Sequence, residues 1–412
     1  MPRRIYFPNF NFEEELATQP KAVSSGTRQV LNELAPVIGL LDSESPADTH
    51  SIVLVEEGAH PNGLPQLLAS VEFCTQTQYQ KVQNVSDEFV PWGWSPRAIA
   101  VAESLGFSQS ETLPWITASR LVNSRSFHHP WDRIVALDQP ADPQPFGSLC
   151  SNITELTAAL MSFADAGYTH WVIKANVSHA ARNRLVGAGD FTASQQKWIQ
   201  SRFTSGEKLA AEPWVRRIRE CGLQYSIQRT ADSQSTIRFL GAAEMLTDAA
   251  GRYRGSVLRP ETRSEWWQPA AEYGLQIAMA AADPGFIGPL GLDCMLFEPP
   301  RGGSLCLRYC HDINGRMTMG RLALALRKHL HPEETGLWFH APSEKSELLF
   351  RASEHESVRV LATSPLQIGT KPIKRQTGLL VSRHEQMLWH TARQILGQEV
   401  GGILRANGPQ SG

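Results

Sequence analysis

The chain has 412 residues, 42% of them hydrophobic and 19% charged, with a formal net charge of −2, which is enough for two or three domains with sizeable cores. Near-neutral charge gives no electrostatic case for nucleic acid or an acidic membrane surface, no apolar run approaches the roughly 18 residues of a membrane span, and the start, MPRRIYFPNFNFEEEL, lacks the long apolar segment of a secretory leader. The expectation is a cytoplasmic protein with reduced, mostly buried cysteines, since positions 74, 150, 221, 294, 306 and 310 include no CxxC metal-ligand spacing.

Residues 1–125 alternate short strands (5–7, 51–55) with segments of helical spacing (27–34, 96–105). This pattern predicts a small α/β domain with a parallel sheet. No GxGxxG follows the first strand, so a dinucleotide fold gains no support. The run Pro91-Trp92-Gly93-Trp94 reads as packing beside a helix start, with pocket lining as the alternative.

A helix is predicted from Asn152, a cap residue with Glu155 three positions on, and Gly167 ends it. The strand 169–174 then places His170, Val172 and Lys174 on one face and Trp171 and Ile173 on the other. A lysine closing an apolar strand is ordinarily a solvated strand end. Residues 175–190, however, with Ser178, Arg182, Arg184, Gly187 and Gly189, read as a mobile loop able to cover an anion. After a helix over 193–203, the segment 209–215, LAAEPWV, interrupts an apolar strand with an acid and a proline. Pro213 removes a backbone donor, which predicts a linker between two lobes or a sheet edge. Segments 224–228, 237–246 and 252–257 read as antiparallel sheet, followed by a helix over 266–281.

A hairpin is predicted from 291–297 and 305–314, separated by Pro299-Pro300-Arg301-Gly302-Gly303. Alternation puts Asp312 and Asn314 on a face with Arg308 and Cys310, and Leu307, Tyr309, His311 and Ile313 on the other. A two-residue turn at Gly302-Gly303 sets Asp293 opposite Asp312, with the prolines able to shift that register by a residue or two. Opposed like charges destabilise a sheet, so this pair with an Asn diagonal to it is best accounted for by a cation between the two. Oxygen donors of this kind suit Mg²⁺, and the alternative is a solvated hairpin with ordinary surface residues. Gly315 then breaks the strand and Thr318 caps a helix carrying Met319, Leu322, Ala323, Leu326 and Leu330 as one stripe. Residues 331–412 are expected to add an α/β extension (strands 336–340, 358–362 and 378–382, helix 387–396) with no catalytic signature and a frayed tail over 405–412.

Taken together, the strand ending in Lys174, the loop after it, Glu212, Gly291-Leu292-Asp293 and Asp312-Ile313-Asn314-Gly315-Arg316 resemble the ATP-grasp superfamily of ATP-dependent carboxylate-amine ligases, over about residues 110–330. The resemblance implies a mixed α/β and α+β architecture. Two α+β lobes (about 126–211 and 212–330) would clamp ATP behind the 1–125 domain, with 331–412 as the extension. It implies that Asp293, Asp312 and Asn314 hold Mg²⁺, or Mn²⁺ in its place, bridging the ATP phosphates. Lys174 would contact phosphate, Glu212, Pro213, Trp214 and Val215 would hydrogen-bond adenine through their backbone, and Arg125 would be the further basic ATP-binding residue. Arg316 would stabilise an acyl-phosphate or the tetrahedral intermediate after it. The implied partners are a small-molecule carboxylate and an amine, with a homodimer as a further expectation. Asp312 stands where the superfamily usually has Glu, and the loop after Lys174 is poorer in glycine. Those departures motivate the alternative of a noncatalytic nucleotide-binding or scaffold protein; a kinase-like phosphotransferase on the same fold is a third reading.

Overall fold

The computed structural model describes residues 3–16, 23–44, 50–107, 112–176, 183–230, 234–248, 250–259, 266–345 and 357–396. The N-terminal part is a parallel sheet of four strands in the order Glu72–Cys74, His50–Leu54, Arg3–Phe7, Glu88–Pro91. Its central strands read IYF and IVL because both faces are covered, and Ile5, Ile52 and Leu54 lie in a core with the helix Pro96–Ser104. The predicted parallel α/β domain is what the chain builds.

A second, antiparallel sheet has the order Arg184–Ala188, His170–Ala175, Leu209–Pro213, Ser148–Cys150. The helices Ile153–Asp165 and Ala193–Thr204 pack on it through Leu156, Phe163 and Ile199. Asn152 caps the first as expected, its Oδ1 accepting from the Glu155 N–H at 2.9 Å. Part of the expected mobile loop is instead the strand Arg184–Ala188, paired residue by residue with 170–174; Ser178 and Arg182 lie outside the described residues.

The largest element is a ten-stranded antiparallel sheet. Its order is Arg359–Ala362, Arg375–Ser382, Thr335–Pro342, Tyr253–Leu258, Ser235–Thr247, Arg216–Arg229, Gly288–Glu298, Cys306–Asn314, Arg133–Ala136, Gln139–Pro145. The sequence-based boundaries at 211 and 330 do not coincide with its edges. Arg133–Ala136 adds to the outer side of Cys306–Asn314, and Thr335–Pro342 pairs with Tyr253–Leu258, so segments from the expected first lobe and from the extension complete one ladder. Such pairings join residues far apart in the chain and leave no local signature. The helix Gln268–Ala282 covers one face of the sheet through Ala271, Ile277, Ala278 and Ala281. On the other side, Phe12, Val37 and Trp92 of the N-terminal domain share a core with Ala243, Leu322, Trp338 and Leu379.

Candidate active site

The antiparallel four-stranded sheet and the ten-stranded sheet meet at Pro213. Leu209–Pro213 pairs with Ser148–Cys150 only as far as Ala211, so Pro213 falls beyond that ladder, where a missing N–H costs nothing. The chain then enters the large sheet at Arg216. Pro213 has no N–H and Trp214 donates its own to the His170 carbonyl at 2.9 Å, so neither can donate to an adenine edge from this segment. The guanidinium groups of Arg184 and Arg217 both lie over the Trp214 ring, 5.2 and 5.0 Å from its centre.

The hairpin Gly288–Glu298 and Cys306–Asn314 carries the acids. Asp293 stands opposite Asp312 and Gly291 opposite Asn314, the register expected from a Gly302-Gly303 turn. Beyond them the register shifts, Met295 facing Arg308, so residues 309–311 stand against Cys294 alone. That bulge overturns part of the expected alternation. Cys310 turns into the core with Leu307 and Ile313, while His311 joins Arg308, Asp312 and Asn314 on the cavity wall. Bulges re-aim side chains in this way, and nothing in the local sequence announces this one.

One cavity of about 680 Å³ is lined by Arg125, Lys174, Glu212, Pro213, Trp214, Val215, Asp293, Asp312, Asn314 and Arg316. Each candidate site residue therefore reaches the same space from five separate segments. The charges are tightly interlocked. Lys174 Nζ donates to Glu212 at 2.8 and 2.9 Å, and Arg308 donates to Glu212 Oε2 at 2.8 Å and to both oxygens of Asp132 at 2.6 and 2.5 Å. Arg125 donates from Nη1 and Nη2 to the two oxygens of Asp312 at 2.7 and 3.3 Å. Arg316 donates to Glu13 at 2.5 Å, to Asn314 Oδ1 at 3.0 Å and to the Met317 carbonyl at 2.9 Å, with Trp92 beneath it at 5.9 Å. Trp92 thus both packs in a core and lines the cavity.

These contacts set the ionisation of the site. Burial opposes charge on Glu212, but Lys174 and Arg308 hold its carboxyl well below the ordinary range. Burial opposes charge on Asp312 as well, and Arg125 and Lys174 hold its carboxyl down. Asp293 behaves oppositely, pushed up by burial, by the facing Asp312 and by Glu220. Asn314 Nδ2 donates to Asp293 Oδ2 at 3.3 Å. A buried acid facing another, its charge only partly offset by Arg316 and by the Asn314 amide, is the environment that a divalent cation relieves, and carboxylate and amide oxygens are the donors a hard cation takes. Among the described residues no three His, Cys, Asp or Glu side chains form a metal cage, so an ion at Asp293 and Asp312 would complete its shell with water and phosphate oxygens.

Sequence reasoning missed four participants. Glu220 lines the cavity two residues before Gly222, which pairs with Asp293. His311 was assigned to the other face; its Nε2 lies 3.7 Å from Glu220 Oε1. Asp132 and Glu13 come from segments remote from their arginine partners. An acid two positions before a glycine in RRIRECG was the available signal for Glu220, and it becomes meaningful only once that strand is placed beside Asp293.

Two sheets closing over a charged cleft behind a parallel-sheet domain define an ATP-grasp fold, and the chain adopts it. Neither a protein-family model nor a curated protein matches the sequence. Among solved structures, N5-carboxyaminoimidazole synthetase from Staphylococcus aureus, complexed with ADP, is similar with a TM-score of 0.51 at 11% identity, over 95% of this chain and 96% of that one. Rhizobium etli pyruvate carboxylase, as the T882A variant with the allosteric activator acetyl coenzyme A, also gives 0.51 at 12% identity, over 98% of this chain but 39% of its own.

Proposed function

We propose that this protein is an ATP-dependent ligase that activates a carboxylate as an acyl-phosphate and joins it to an amine. The observation that carries the reading is the convergence of Asp293, Asp312, Asn314, Lys174 and Arg316 on one cavity at the junction of the two sheets. A free carboxylate does not acylate an amine at neutral pH, because oxide would have to leave. In the proposed reaction a carboxylate oxygen attacks the γ-phosphorus of ATP, the bond to the β,γ-bridging oxygen breaks, and ADP departs. The amine nitrogen then attacks the acyl carbon, phosphate leaves, and the nitrogen gives up a proton.

Asp293, Asp312 and Asn314 would hold Mg²⁺, which supplies positive charge to the phosphates. Lys174, whose ammonium is destabilised by burial and sustained by Glu212, presents a donor from the smaller sheet. Arg316, braced by Glu13 and Asn314, presents one from the hairpin's end. Fixed donors of this sort stabilise charge without reorganising as it develops. The Val215 end of the connecting segment lies on the cavity wall, where an adenine edge would meet it.

A second reading, nucleotide binding without turnover, is favoured by the self-neutralised pairs Lys174 with Glu212 and Arg125 with Asp312. Calorimetric titration of ATP with and without Mg²⁺, for the native chain and Asp312→Asn, tests both. Metal-dependent binding lost in the variant, together with ADP release on adding a carboxylate and an amine, is the expected result. Binding with no ADP from any pair selects the second reading, and absence of binding rejects both.

A further inference from the structure

The helix Ser25–Leu34 is oriented against the usual rule for a surface helix, which packs its apolar stripe into a core and turns its polar face to water. Its sole buried residue is Glu33, whose carboxylate accepts from the Lys374 N–H at 3.1 Å and from Gln29 Nε2 at 3.0 Å. Asn32, beside it, donates to Glu56 at 3.2 Å. The polar face is thus the one that anchors the helix to the protein. The apolar residues Val30, Leu31 and Leu34, spaced to share a face, line the cavity instead, and Val30 is left 42% exposed. Phe10, Tyr253 and Met319 also line that cavity, and the Tyr253 hydroxyl is engaged with Ser256 Oγ at 2.8 Å. The same cavity is lined by Arg316, by Trp92, over whose ring the Arg316 guanidinium lies at 5.9 Å, and by Phe10, whose ring stands 4.4 Å from that of Trp92.

Apolar surface facing an aqueous cavity is unfavourable unless something apolar fills it. We infer that the carboxylic acid activated at Arg316 carries an apolar side chain or tail of several carbons, seated between Val30, Leu31 and Leu34 and the rings of Phe10 and Tyr253. The inference rests on the ligase reading above and adds the substrate class to it. Each methylene that such a pocket takes up changes kcat/KM by roughly 10- to 200-fold, so the wall selects strongly against short or charged acids.

The test supplies ATP, Mg²⁺ and hydroxylamine, whose nitrogen attacks the acyl carbon of an acyl-phosphate and displaces phosphate to give a hydroxamate, so the natural amine need not be known. The acids compared are acetate, succinate, 4-methylpentanoate and 3-phenylpropanoate, and glycine, L-aspartate, L-leucine and L-phenylalanine. Hydroxamate is expected from the apolar members with kcat/KM at least about tenfold above the others. Leu31→Asp and Val30→Asp, on a half-exposed helix face, should raise KM for those acids by a similar factor while the affinity for ATP stays unchanged, which also reports that the variants are folded. Turnover that prefers acetate or glycine, or apolar turnover indifferent to both substitutions, overturns the inference and leaves the ligase reading standing. A preference for succinate or L-aspartate overturns it in favour of a charged contact with Arg375 at the cavity wall. If no acid yields hydroxamate, the ligase reading falls, and calorimetric binding of 3-phenylpropanoate decides the pocket separately: binding lost in Leu31→Asp retains the apolar site, and no binding removes it.

Discussion

Glu212 is the residue on which the site's charge balance turns. Buried at 3% exposure, it accepts from Lys174 and Arg308, and Arg308 in turn clasps Asp132. Removing one member of such a buried set leaves charges without compensation. Glu212→Gln should therefore lower stability by about 3 kcal/mol in urea denaturation, whereas a surface acid such as Glu88, paired with Arg4 at 3.3 Å, should contribute no more than about 1 kcal/mol. His128 gives a pH dependence of known sign. Its Nδ1 meets Arg125 Nη1 at 3.0 Å and its Nε2 meets the Cys310 carbonyl at 3.3 Å, which fits a neutral ring accepting at Nδ1 and donating at Nε2. Burial and the Arg125 charge push it down from 6.5 to about 4. As pH falls below 6.5 the unfolded chain takes up this proton first, so the contribution to stability is complete above that pH and is lost between 6.5 and about 4. Urea midpoints measured at pH 7.5 and pH 5 should differ less for His128→Gln than for the native chain. An equal difference would show that other groups carry the acid sensitivity.

At the scale of elements, the hairpin and the helix after it depend on a close approach. A Cβ at Gly291 would lie 2.4 Å from Thr318 Cγ2, and Thr318 both caps the helix Met319–Ala325 and donates to Gln224 at 2.8 Å. Gly291→Ala should cost roughly 1–3 kcal/mol, read as a lower midpoint in urea, while Gly302→Ala meets no atom within 4 Å and bears only the strain of a φ of +74°. Elements governed by periodicity and punctuation were legible in the sequence: the parallel sheet, the helix capped by Asn152, the hairpin, and Asp293 opposite Asp312. The face assignment of His311 and Cys310 was not, because the bulge changes the local count without a glycine or proline to mark it. Asp132 with Arg308, 176 residues apart, was equally beyond reach, since neither strand segment carries any local trace of the other. The apolar stripe 27–34 identified a helix correctly but not which way it faced, because the anchoring contacts come from Glu56 and Lys374.

Across the whole molecule, the ten-stranded sheet makes the C-terminal segment part of the central architecture. Leu337, Phe339, Leu380 and Trp389 close a core with Leu246 and Val257, and Trp338 and Leu379 reach the core shared with the N-terminal domain. A chain ending at residue 330 should therefore be insoluble or lack a cooperative thermal transition; a soluble, cooperatively melting product that still binds ATP would overturn this. The pairing of Tyr253–Leu258 with Thr335–Pro342 also has a consequence during synthesis. The ribosome must add some eighty residues after the first strand before its partner exists, on the order of 4–16 s at ordinary translation speeds. For that interval a strand destined for the interior of a sheet has an open edge, a template for pairing with neighbouring nascent chains. Yield on expression should thus be sensitive to elongation rate and to chaperones that shield such edges, even for substitutions that leave the finished protein's stability unchanged.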